Sequence, residues 1–336
     1  MSPLSVSKPR RRRLVTVRQI QLLLALLWIL DGALQLQPFM FTKGFAQQVI
    51  APTAKGQPAI VAVPVAWSAH LIAAEPVLLD AVFATVQLCL GVGLLWRRSV
   101  KVALGGSVLW ALGVWYMGEG LGGVAGGPIS LLTGAPGAVL IYAVLAAAAF
   151  PSPILPLRRT ADQNRPREGR WDRPLPRWAS WAWAAIWIGD ASLTAIRGGS
   201  GLAATIAGNA EGAPSWLSTL DHHIVALVGH TSGVPDAALL ILEVVIGFLP
   251  LLGRIGRVAG CGTGLALLAV MWLVGQSMGQ LYSGQATDPN TAVPLAVMAL
   301  GVLSSEGTGR IRLIKHHHHL DERGADPHAT AERLAA

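Results

Sequence analysis

The sequence predicts an all-α fold: a polytopic membrane helical bundle of two tandem four-helix repeats, about eight transmembrane helices in all. Three observations lead there. Of 336 residues, 52% are hydrophobic and 13% charged, with a mean hydropathy of +0.50, more apolar surface than a soluble core of this length can bury. Polar-poor runs recur at the length of about 20 residues that a helix needs to cross a bilayer. The second half of the chain restates the first at a nearly constant offset.

The elements follow in order. A basic arm (1–16) precedes a first membrane repeat (17–151), and an Arg- and Pro-rich connector (152–177) leads into a second repeat (178–306) and a polar tail (307–336). The spans read as 17–36, 77–96, 100–118 and 135–151, then 178–196, 236–252, 258–276 and 291–306. Glycine and proline within them are tolerated where neighbouring helices re-satisfy the freed backbone groups. No small-residue cleavage site follows the first apolar run, so it is expected to remain as an anchor.

Charge sets the expected orientation. Under eight spans, all of the 26 Lys and Arg residues except Lys43, Lys55 and Arg197 fall on one side, which the positive-inside rule makes cytoplasmic. Both termini then lie in the cytoplasm of a multi-pass cell-membrane protein. The net charge of +8 is in this reading a topology signal, and the basic runs are expected to meet the bilayer and its anionic inner-leaflet lipid rather than nucleic acid.

Three blocks carry the duplication. Leu27-Trp28-Ile29-Leu30-Asp31 recurs as Ile186-Trp187-Ile188-Gly189-Asp190, the run from Asp80 recurs from Asp236, and that from Val114 recurs from Met271. The apolar stretch 58–74 has the polar counterpart 214–230, so both are expected as interfacial or re-entrant helices on the outer face, with Trp67 and Trp216 at headgroup level. Four spans per half give both halves one orientation, related by a pseudo-twofold axis along the membrane normal.

Ionisable groups inside spans are costly and mark candidate sites. Asp31 and Asp190 occupy equivalent places in the first span of each half; Glu119 stands opposite Gln276 across the repeat, and Glu243 opposite Gln87. These four acids, Asp31, Glu119, Asp190 and Glu243, are the polar candidates, either for interhelical hydrogen bonds or for proton, ion or ligand handling. Asp80 and Asp236 read as N-terminal helix caps. No metal site is expected: His223 and His230 are two helical turns apart, too far for one ion on one helix, and the run His316 to His319 reads as incidental. Cys89 and Cys261 read as buried small hydrophobes, and the Gly-rich run from Gly118 as helix termination rather than a phosphate loop.

The layout of each half resembles the DoxX/DoxD-like membrane family. The matching pieces are Asp31-Gly32 at the end of the first span, the Gly-x-Pro turns Gly56-Gln57-Pro58 and Gly212-Ala213-Pro214, and the exit Leu90-Gly91-Val92-Gly93-Leu94-Leu95-Trp96-Arg97-Arg98. The second half departs from it with Gly253-Arg254. The resemblance implies a membrane component of a redox or envelope-stress system near thiol, sulfur or quinone chemistry, beside a soluble redox partner; the cofactor is left open, a quinone being one candidate. It transfers no catalytic residue. Two other classes stand beside it: a small-solute or ion transporter using intramembrane carboxylates, and a non-catalytic membrane scaffold.

Overall fold

A computed structural model describes residues 15–126, 129–151, 171–198, 201–210, 212–230 and 233–305. Most of the basic arm, most of the connector, the tail and the His316 to His319 run lie outside the described residues.

Among the described residues every regular element is helical. The first half runs through α1 (Val17–Leu34), α2 (Ala59–Ala74), α3 (Pro76–Leu95), α4 (Val100–Met117) and α5 (Ala138–Ala148). The second runs through α6 (Trp178–Arg197), α7 (Leu202–Ala210), α8 (Ser215–Val228), α9 (Val234–Phe248), α10 (Arg254–Val270) and α11 (Ala292–Leu303). Short π and 3-10 turns over Phe45–Ile50 and Ala51–Ala54 stand between α1 and α2, where the second half places α7.

Five helical stretches have the length and composition to cross a membrane: Val17–Leu34, Pro76–Leu95, Val100–Met117, Val234–Leu252 and Arg254–Gly275. Helix α6 is as long, but Ser180, Asp190, Ser192, Thr194 and Arg197 lower its hydropathy. At 135–151 and 291–306 the sequence suggests full spans, whereas the helices there hold 11 and 12 residues, about 17 and 18 Å at 1.5 Å per residue. That is little more than half of a hydrocarbon core of about 30 Å. Loops at 129–137, with a 3-10 turn over Leu131–Thr133, and at 281–291 precede these two short helices.

Side chains serve the start of α1 and the ends of α3 and α5. Thr16 and Gln19 form a capping box at the start of α1, the Thr16 amide donating to Gln19 Oε1 at 2.8 Å. One turn on, the Arg18 guanidinium donates to the carbonyl of Leu94 at 2.9 Å and to that of Leu95, serving the orphan carbonyls at the end of α3. Gln21 Nε2 does the same for α5, donating to the Ala149 carbonyl at 2.9 Å.

Helix α1 packs closely on α3, and α6 on α9, because glycine stands at each crossing. A Cβ at Gly91 would lie 2.6 Å from Ile29 Cγ1, and one at Gly247 would lie 2.9 Å from Ile188 Cγ1. The resulting core is continuous across both halves. Trp28 meets Tyr142 edge-on at 5.0 Å, Trp183 and Trp187 pack at 5.3 Å with their planes tilted by 43°, and all four are fully buried. Trp183 satisfies its indole N–H on the Ile246 carbonyl at 3.0 Å.

Two expectations are corrected. Asp80 does not cap α3: the helix begins at Pro76, which places Asp80 a full turn inside it, wholly buried. Asp236 does lie in the first turn of α9, yet its Oδ1 accepts from the Leu202 amide at 2.6 Å and so caps α7 instead. Cys261 is buried as expected; Cys89 is exposed on the outward face of α3.

Candidate functional site

A cavity of about 400 Å³ opens between α1, α2, α3 and α4. Its wall is mostly apolar and aromatic, with Phe45, Trp67, Phe83 and Trp110. Into this wall are set three carboxyl groups, Asp31, Glu119 and Asp288, together with Gln35 and Gln87. No Lys, Arg or His lines it among the described residues.

Asp31 is 1% exposed, near the end of α1, and its Oδ1 accepts from the Tyr142 hydroxyl at 3.2 Å. The bond joins α1 to α5. Glu119 lies just past the end of α4, outside the helix. The Val139 amide at the start of α5 donates to its carboxylate, while Oε2 is buried with no hydrogen-bond partner among the described residues. Gly137 makes room for that side chain: its φ of 102° is open to glycine, and a Cβ there would sit 2.0 Å from Glu119 Oε2. Burial pushes the Glu119 carboxyl well above its ordinary range, the charge of Asp288 adds to this, and the Val139 amide opposes it. Asp288 is raised too, by burial, against the Thr287 hydroxyl at 2.9 Å and the Asn290 amide at 2.7 Å that donate to it.

Asp288 comes from the second half, on the loop before α11. The exchange is mutual. The first half's loop before α5 crosses into the second half, where the Leu131 amide donates to Asp190 Oδ2 at 2.8 Å and Gln276 Nε2 donates to the Leu131 carbonyl at 2.8 Å. Thr194 Oγ1 donates to the Ile129 carbonyl at 2.6 Å, and Thr291 Oγ1 donates to the Gly134 carbonyl. In return Gln37 Nε2 donates to the Ala286 carbonyl at 3.1 Å.

The loops are held alike. Trp115 Nε1 donates to the Pro136 carbonyl at 2.6 Å and Trp272 Nε1 to the Pro289 carbonyl at 2.9 Å. Positive φ recurs at Leu121 and Gly122 and at Met278 and Gly279. Where Val139 donates to Glu119, the Ala292 amide donates to Gln276 Oε1 at 3.1 Å.

The four acids foreseen from the sequence thus divide. Asp31 and Glu119 line the first cavity and Glu243 lines a second, whereas Asp190 is in neither lining and accepts from the Leu131 amide. Sequence reading missed Asp288, hidden in a Thr-Asp-Pro-Asn run that reads as a solvated turn, and Tyr142, which reads as core. The histidines His70, His222, His223 and His230 are exposed.

No protein-family model, no curated protein and no solved structure matches the chain.

Proposed function

We propose that the chain is the membrane component of a redox system, related in pattern to the DoxX/DoxD-like proteins, and that its first cavity holds a quinone-sized ring. The observation that carries the reading is an apolar, aromatic cavity of about 400 Å³, within the range of small-molecule sites, whose wall holds three carboxyls with no Lys, Arg or His among the described lining residues. A carboxyl held neutral donates a hydrogen bond where a ring carbonyl accepts one, and Glu119 Oε2 is a buried oxygen with nothing yet to bond. A bound quinone supplies reversible two-electron, two-proton chemistry. The chain's own part is to stack the ring against Trp67, Trp110 and Phe83, to exclude water, and to hold protons on Glu119 and Asp31.

The frame of this reading is a duplicated four-helix unit with eight segments in the bilayer of the cell membrane and both termini cytoplasmic. Five helices apolar enough to cross support the membrane placement, and the paired glycine crossings, paired indole bonds and paired positive-φ turns support the duplication. The basic runs then rest on anionic lipid, and a soluble redox partner delivers electrons.

The test is direct extraction. Organic extracts of the purified protein, analysed by mass spectrometry, should contain a quinone in near-stoichiometric amount, reduced in Glu119→Leu. An extract free of quinone from protein purified in mild detergent would count against the reading. A second reading, small-solute transport, is favoured by the loop exchange, since each cavity borrows part of its wall from the other half.

A further inference from the structure

The second cavity, about 380 Å³, lies at the other half's acids and is lined by Ser130, Leu132, Thr194, Leu202, Asp236 and Glu243 among others. Glu243 is 1% exposed, and neither of its carboxylate oxygens has a hydrogen-bond partner among the described residues. Asp190, also buried, has an Oδ1 that is likewise without a hydrogen-bond partner among the described residues. A buried carboxylate with no Lys, Arg or His among the described lining residues needs a positive charge or a proton to be tolerated.

The neighbouring polar groups show which kind of charge fits. Thr194 spends its hydroxyl hydrogen on the Ile129 carbonyl at 2.6 Å, leaving lone pairs. Ser130 Oγ accepts from the Leu132 amide at 3.1 Å, and Asp236 Oδ1 from the Leu202 amide. The wall is therefore rich in acceptors, and Glu243, buried among them, is an acceptor with nothing to accept. Leu132, Leu202, Leu239 and Leu240 supply apolar surface beside it, and no aromatic ring lines the cavity.

We infer that the second cavity is a binding site for a primary alkylammonium group, its N–H donors shared between Glu243 and the Ser130 and Thr194 oxygens and its carbon chain against the leucines. A quaternary ammonium fits worse, having no N–H to donate and no ring face to rest on. The inference stands apart from the quinone reading, because the residues it uses line a different cavity.

Full-length protein in detergent, titrated calorimetrically with n-butylammonium chloride at fixed ionic strength, should show saturable binding that tetramethylammonium at the same concentration does not reproduce. Glu243→Gln, isosteric and uncharged, should weaken binding on the order of thirtyfold or more, as removal of one partner of a buried charge pair does. Leu240→Trp, which fills the cavity without touching a charge, should abolish it. Asp288→Asn, at the other cavity, should leave it unchanged. Primary ammonium also occurs on ethanolamine headgroups, so the titration is repeated in phosphatidylcholine discs with and without phosphatidylethanolamine. A weaker apparent affinity with the amino-lipid identifies the headgroup as the occupant, and equal affinity a free amine. No saturable binding by the wild type, or equal binding by Glu243→Gln, overturns the proposal.

Discussion

The Leu131 amide donates to Asp190 Oδ2 at 2.8 Å across the two halves of the chain, and the same residue's carbonyl is taken by Gln276. One residue of a loop thus has both backbone polar groups satisfied by side chains of the opposite half. In an interior without water each unsatisfied group is costly, so this clasp decides where the loop can lie.

Asp190→Ala should strand the Leu131 amide. The expected loss is about 1–3 kcal/mol, the cost of a buried donor left unmade, read as a lower melting temperature of the detergent-solubilised protein. Gln276→Leu should cost a similar amount, and the double variant less than the sum, since both act on one loop. Strict additivity would show that the two contacts are independent.

Glycine packing gives a contrast within one chain. Gly91→Val and Gly247→Val force a branched side chain into helix crossings with no room, at about 1–3 kcal/mol or more each. In Gly262→Ala the new Cβ has nothing within 4 Å and the helix gains propensity, so stability should hold or rise by up to about 1 kcal/mol. If all three behave alike, the close crossings are not what orders α1 on α3 and α6 on α9.

The pH dependence follows from Glu119. Its carboxyl is raised above the ordinary 4.5 in the folded chain, so the folded state binds more protons than the unfolded one as pH climbs past that value. Stability is therefore full below the ordinary value and falls as pH rises toward the raised one. Melting curves across this window should slope downward for the wild type and be flatter for Glu119→Gln. Identical slopes would mean that this carboxyl is not the group being titrated.

Much of the frame was legible. Composition and run length pointed to membrane helices, and the positions of Asp31 and Asp190 followed from counting along them. The short lengths of α5 and α11 were not legible from the expected spans 135–151 and 291–306: the run from Leu131 reads as a turn into the fourth span, but hydropathy does not show how far the turn extends before the helix begins. Asp80 was misplaced by one turn for the same reason: hydropathy shows an apolar stretch but not where its first hydrogen bond forms. Asp288 was out of reach for a different cause. Its importance comes from a loop crossing between halves, a long-range contact that no local pattern encodes.

Loss of the Trp115 indole bond offers a milder probe. Trp115→Phe keeps the ring but frees the Pro136 carbonyl, at about 1 kcal/mol, and should loosen the Glu119 side of the first cavity. Hydrogen exchange in the segment around Ala138 should quicken, while α9 and α10 keep their protection.

Gly113 tests the central claim most directly, because it lines the first cavity and a Cβ there meets nothing within 4 Å. A short-chain quinone titrated into the purified protein, followed by quenching of tryptophan fluorescence from Trp67 and Trp110, should saturate for the wild type. Gly113→Phe, which fills the cavity without removing a polar group, should bind at least about tenfold more weakly at unchanged melting temperature, the loss of one displaced ring contact or more. Equal quenching by the two proteins would contradict a ligand site in this cavity.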